Sequence, residues 1–219
     1  MSVDTFVSGF LDTITYLFKM DRHLLIIDSA DNAAMLERCK NVASVTVLLT
    51  HEHFDHISGL KRIRDCCASS CVLIAGATCS ELIQDTKANL SAYADVLAEL
   101  SGKQIPEHWS PFVCKAADIT FEDWYAFHWM GHAVELFSAP GHSDGSCCIV
   151  VDDLLFVGDT VLVNNLMVKF PGSSKKLYRS VTAPLLERLL VENRVSCVYP
   201  GHWDVMSPEM ELGLVKDIK

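Results

Sequence analysis

A mixed α/β fold is predicted by three features of this 219-residue sequence. Short aliphatic runs of strand type alternate with longer segments that lack strand alternation and carry good helix formers. Four of those runs finish in a histidine or an aspartate, at His51, Asp159 and the histidines of two matching turns. The turns are "PGHSD" at 140–144 and "PGHWD" at 200–204, so a strand-then-ligand ending occurs twice in nearly the same form. Proline fixes its own φ and glycine permits a sharp bend, which sets His142 and His202 just past a strand end.

The elements come in a regular order. Strands are expected at "TYLFKM" and "HLLIIDS", a helix near Asn32–Lys40, a strand at "SVTVLLT", a helix over "ISGLKRIRDCC" and a strand at "CVLIAG". Residues 79–100, "CSELIQDTKANLSAYADVLAEL", read as helical, and Pro106 and Pro111 punctuate the next dozen residues, so a helical insertion is expected around 79–112. Strands resume from Ile119, as "AVELFSAP", "CCIVVDD" and "LLFVGDT"; the helix "VTAPLLERLLVEN" then leads to a last strand, "VSCVYP". No linker or low-complexity run divides the chain, and a single domain over 1–219 is expected.

Half of the residues are hydrophobic and 21% are charged, the profile of a chain that buries a core rather than staying disordered. The formal net charge of -10, without a stripe of Lys and Arg among aromatics, argues against nucleic acid as a partner. The N-terminal stretch "FVSGFLDTITYLF" is interrupted by Asp12, follows Asp4 instead of a basic leader, and is too short and polar for a membrane span. A cytoplasmic protein without a signal peptide is expected, and the oligomeric state is not legible. The nine cysteines form no CxxC pair; Cys71, Cys147, Cys148 and Cys197 are expected to be reduced, small core residues in strands.

The most informative stretch is "THEHFDH", 50–56. His51 and His53 are two apart on extended chain and point to one side, whereas Asp55 and His56 enter the next helix, so two ligand sets can diverge from one loop. Imidazole and carboxylate suit zinc, and also iron or manganese, and a catalytic site keeps a position for water. Five of the nine histidines fall in three strand-end turns, far more ligand chemistry than packing requires.

The motifs "HEHFDH", "PGHSDGS", "GDT" and "PGH" occur in an order and setting that resemble the metallo-β-lactamase fold superfamily. The likeness runs from "YLFKMDRHLLIIDS" to "VYPGH", and "NLSAY" and "FPGSSKKLYRSV" are similar to its glyoxalase II-like branch. It implies a four-layer αββα sandwich with the metal site along one edge, and an internal pseudo-symmetry that the repeated PGH turn fits. Carried over by position, the resemblance implies His51, His53 and His142 for a first metal, Asp55, His56 and His202 for a second, and Asp159 bridging both. It further implies two zinc ions, a metal-bridging hydroxide as nucleophile, and Asp55 as a proton acceptor.

The implied reaction is hydrolysis of a small-molecule ester, thioester or lactone. Family β-lactamases carry Cys or Ser where Asp159 stands, which favours these over lactams. The related thioesterases and lactonases read G-H-T-x-G-H where this chain has "GHSDGS", ending in Ser146. In full-length glutathione thioesterases a C-terminal helical region helps bind glutathione; here seventeen residues follow His202, and glutathione recognition of that kind is not expected. Two other functions compete: an oxidoreductase like the branch that oxidises glutathione persulfide with one non-haem iron, and a binding or sensing protein on the same fold.

Weaker features complete the reading. "DWYAFHWMGH", with Trp124, His128, Trp129 and His132, is expected to cap the metal cleft or to pack the insertion against the sandwich. Lys175, Lys176, Tyr178 and Arg179 are expected to hold a substrate anion or to form a solvated cluster. Glu52 and Phe54 are expected to orient and pack.

Overall fold

The computed structural model describes residues 2–67, 70–161, 171–192 and 195–217. Phe170, which begins "FPGSSKKLYRSV", and Asn193, which ends "VTAPLLERLLVEN", lie outside them. The chain forms two compact units: one of residues up to Ala75 with Cys79–Thr120, the other of Gly76–Thr78 with the chain from Phe121 onward.

The first unit is built on a six-stranded sheet of sequential order, β1 (Asp4–Val7), β2 (Ile14–Met20), β3 (His23–Ile27), β4 (Ser44–Leu48), β5 (Cys71–Gly76) and β6 (Ile119–Phe121). β1, β2 and β3 run antiparallel, and β3, β4 and β5 parallel. Parallel pairing needs crossovers, and helices α1 (Ala33–Arg38), α2 (Phe54–Ile57) and α3 (Leu60–Cys66) supply them. Asn32 caps α1, its Oδ1 accepting from the amides of Ala34 at 2.9 Å and Met35 at 3.1 Å. Leu24, Ile26, Val45, Val47 and Leu73 point to one side and pack with Met35, Ile57, Leu60 and Ile63 in one core.

The helix expected over 57–67 is broken into α2 and α3. Gly59 explains the break: its amide donates to the Ser29 carbonyl at 2.6 Å, and a Cβ there would lie 2.8 Å from that oxygen. The insertion is helical only in part, as α4 (Ala77–Leu82), a 3₁₀ turn at Ser91–Tyr93 and α5 (Ala94–Leu100), after which residues 101–118 run without regular structure.

The second unit holds a five-stranded sheet in the order β11 (Cys197–Pro200), β10 (Leu154–Gly158), β9 (Cys147–Val151), β8 (His132–Ser138) and β7 (Trp124–Trp129). All its pairs are antiparallel except β10 with β11. Helix α6 (Lys175–Leu177), a π-helical turn at Tyr178–Thr182 and α7 (Ala183–Val191) run on as one helical segment, and α8 (Pro208–Asp217) packs against α7. Its core joins Val150, Leu155, Val157 and Val198 to Tyr178, Leu186, Leu189 and Val215.

The aromatic stretch expected as a cap is β7, an edge strand whose residues alternate in exposure and pair with β8 through a Met130–Gly131 turn. The expected cationic cluster divides: Lys175, Lys176 and Arg179 are exposed, whereas Tyr178 is fully buried. No disulfide joins the nine cysteines; Cys147 and Cys148 are buried, and Cys71 and Cys197 are half-buried. Among the described residues no helix is long and apolar enough to cross a membrane.

Candidate metal centre

In the first unit the donors follow β4. β4 ends at Leu48, and His51, His53, Asp55 and His56, in the loop and helical turn that follow, are all buried. The His51 ring centroid lies 4.6 Å from that of His53 and 4.1 Å from that of His56. His53 opens α2 and sets Asp55 and His56 in its single turn, where the Phe54 amide donates to the carbonyl of Asn89 at 2.8 Å.

Sequence reasoning missed three residues that position these donors. Asp28, just past β3, takes the backbone amide of Thr50 at 2.8 Å, the Thr50 hydroxyl at 2.8 Å and His56 Nδ1 at 2.8 Å. Thr50 Oγ1 in turn lies 3.1 Å from His51 Nδ1. With the Thr50 hydroxyl donating to Asp28, these contacts favour the ring proton of His51 and His56 on Nδ1, which would leave Nε2 as the atom of each to ligate a metal. Thr13 donates its hydroxyl to Asp55 Oδ2 at 2.6 Å, which leaves fewer orientations open to that carboxylate. The signal for Asp28 was that "LLIIDS" also ends a hydrophobic strand in an acid, the same pattern as Asp159.

In the second unit two turns and one strand end converge. Pro140 and Gly141 are tied to the helical segment, Thr182 Oγ1 donating to the Pro140 carbonyl at 2.7 Å and the Ser174 amide to the Gly141 carbonyl at 2.8 Å. Ser146, the departure from the relatives' pattern, closes the turn: its Oγ accepts from the Ser143 amide at 3.1 Å and lies 2.8 Å from the Ser143 hydroxyl. Parallel pairing of β10 and β11 brings the other two donors side by side, with the Gly201 amide donating to the Gly158 carbonyl at 2.8 Å. Asp159 Oδ2 is then 3.4 Å from His202 Nε2 and 3.8 Å from His142 Nε2.

These spacings test whether a cation fits. Two ligand atoms at about 2.0–2.1 Å from a tetrahedral zinc stand roughly 3.3–3.4 Å apart. Asp159 and His202 are separated by 3.4 Å, and in the first unit Asp55 Oδ2 and His56 Nε2 by 3.5 Å. Each pair is a little too far apart for a strong hydrogen bond and close to the separation of two ligands on one ion. Buried carboxylates also need a compensating charge, and a cation would supply it.

The seven residues singled out from the sequence fall in two sets, His51, His53, Asp55 and His56 in the first unit and His142, Asp159 and His202 in the second. His128 and His132 stand outside both sets. His132 Nδ1 instead lies 2.6 Å from Asp152 Oδ2, at the far end of the β7–β8 hairpin.

Comparison with known proteins adds a family and a fold. The model of the metallo-β-lactamase superfamily matches residues 21–202. A hydroxyacylglutathione hydrolase of Shewanella sp. (strain ANA-3) is 24% identical over 199 residues, covering 89% of this chain and 64% of its own length. The chain thus spans a little under two thirds of the curated relatives it matches. Among solved structures, the BLEG-1 B3 metallo-β-lactamase superposes with a TM-score of 0.75 at 22% identity and full coverage of both chains. ETHE1 from Myxococcus xanthus gives 0.68 at 19% identity, over 100% of this chain and 84% of its own. At these identities the superpositions speak for the fold alone.

Proposed function

Because the chain belongs to the metallo-β-lactamase superfamily, we propose that it is a metal-dependent hydrolase of a small ester, thioester or lactone. His51, His53 and His142 would hold one divalent ion and Asp55, His56 and His202 a second, with the Asp159 carboxylate available to both. Zinc suits these nitrogen and oxygen donors best, and iron or manganese would accept them too. When bound, such ions lower the pKa of water towards about 7 and polarise the carbonyl under attack.

The chain's own residues do the rest. Asp28 and Thr50 fix the tautomers and ring orientations of His56 and His51, so that no reorganisation is needed during the reaction. Asp55, held by Thr13, takes up the proton released as water attacks. The observation that carries this reading is the ligand-like spacing of Asp55 with His56 and of Asp159 with His202. The hydroxyacylglutathione hydrolases support a thioester as the bond cleaved.

The test is metal analysis of protein purified without added metal, alongside turnover of a thioester panel. Close to two ions per chain and hydrolysis abolished by a chelator are expected. A single iron, with oxygen consumed in the presence of a persulfide, would replace this reading with the iron oxidoreductase.

A further inference from the structure

A cavity of about 470 Å³ opens within the first unit beside Asp55, a size typical of small-molecule sites. Its walls come from two stretches, the β1–β2 loop with Gly9 and Phe10, and the irregular part of the insertion with Trp109 and Phe112; Asp55 and Ser58 also line it. Phe10 and Trp109 are in tilted contact, ring centroids 5.6 Å apart, and Phe54 backs them at 6.0 and 5.2 Å.

The aromatic wall is held from behind. Trp109 Nε1 donates to the Ser91 carbonyl at 3.3 Å, and Asn89 Nδ2 and Ser91 Oγ donate to the Phe112 carbonyl at 2.9 and 3.0 Å. Asn89 also receives the Phe54 amide, so the wall and the turn that carries Asp55 share one fixed framework. The lining contains no Lys or Arg; His108 is its one histidine, and of its two acids Asp31 is paired with Arg62 at 2.7 Å. Such a cavity suits a flat, apolar group, and a carboxylate entering it would give up water without meeting a Lys or Arg.

We infer that this cavity is the subsite for an uncharged aromatic group of the substrate, so that the chain selects aryl-bearing esters or thioesters over small or anionic ones. The inference rests on the hydrolase reading and adds the substrate class to it. Gly9 offers a clean way to block the cavity: nothing lies within 4 Å of where its Cβ would stand. Gly9→Trp therefore places a large side chain at the rim of the cavity with no clash at its Cβ.

The experiment compares S-methyl thioacetate with S-methyl phenylthioacetate, S-benzyl thioacetate and the anionic S-methyl thioester of succinate, on wild-type, Gly9→Trp and Phe10→Ala proteins. One of the two aromatic thioesters is expected to exceed S-methyl thioacetate in kcat/KM by about tenfold, mainly through KM, and the succinate thioester to be poorest. In both variants the aromatic advantage should fall to about twofold or less. Equal rates for the aromatic and methyl compounds, preference for succinate, or an advantage undiminished in Gly9→Trp would overturn the inference. If no thioester were turned over, the hydrolase reading would fail by itself, and calorimetric titration with phenylacetamide would still decide the cavity. Binding by the wild type that Gly9→Trp loses would support it, and no binding by the wild type would overturn it.

Discussion

Asp28 shows how much a single residue outside the ligand set can control. Its carboxylate gathers two groups of Thr50 and the Nδ1 proton of His56, at a backbone φ of 58°. An asparagine amide has one acceptor oxygen where the carboxylate has two, so Asp28→Asn cannot serve all three donors. Loss of such a support weakens metal binding by about 10–100-fold; competition with a chromophoric chelator should show this, and unchanged affinity would deny Asp28 its role. Asp159→Asn asks a different question, because the amide keeps the shape but not the charge that offsets repulsion between two cations. It should leave the fold intact, weaken at least one ion and lower kcat more than it raises KM, and a variant with two tightly held ions and full turnover would remove Asp159 from the bridge. The seven candidate donors could be singled out because histidine and aspartate recur after hydrophobic runs in motifs that resemble a known family's. Thr50 and Thr13 were not, since a threonine beside a strand is ordinary until its partners are known, and Asp28 shares the strand-end pattern of Asp159 but lies outside any of the quoted motifs.

At the scale of elements, the same local rules explain both the readable and the hidden parts. The strands of the two cores were readable from continuous aliphatic runs, as expected for strands buried on both faces. β7 was not, because its aromatic and polar alternation belongs to an edge strand with one exposed face. The break between α2 and α3 depends on the approach of Gly59 to Ser29, a tertiary contact that helix propensity does not contain. Gly141 carries the clearest prediction: its φ is 154°, and a Cβ would stand 2.7 Å from Cβ of Tyr178. Gly141→Ala should cost about 1–3 kcal/mol and displace His142, to be seen as a lower melting temperature together with reduced metal content. Helix α8 carries another. Glu211 is fully buried, neither carboxylate oxygen has a hydrogen-bond partner among the described residues, and burial pushes its carboxyl up to about 8. The folded chain therefore keeps this proton over a range in which the unfolded chain, with an ordinary carboxyl near 4.5, has lost it. Between those two values Glu211 lowers stability as pH rises, with a limiting slope of about 1.4 kcal/mol per pH unit, and the loss levels off above the folded value. Glu211→Gln should remove that slope in denaturant melts run from pH 5 to 8; an unchanged slope would mean that Glu211 is solvated or paired in solution.

For the molecule as a whole, the proposed ligand set draws four donors from the first unit and three from the second, so metal binding couples the stability of both. Ions that bind only the folded chain stabilise it by mass action, by about 4 kcal/mol when free metal is a thousandfold above the dissociation constant. In a chain of this length each kcal/mol moves the melting temperature by roughly 2–4 °C, so chelation should lower it by about 10 °C. The way the loss is distributed is more telling than its size. Hydrogen exchange should show protection falling in β4, which leads into His51, and also in β10 and β11, which end at Asp159 and His202. Loss confined to the first unit would mean that its histidines bind metal without His142, Asp159 and His202, and the two-ion assignment would have to be given up. Loss in both units with a single metal-dependent transition is the expected outcome, because each of the two proposed ions would take ligands from both units and both would share the Asp159 carboxylate.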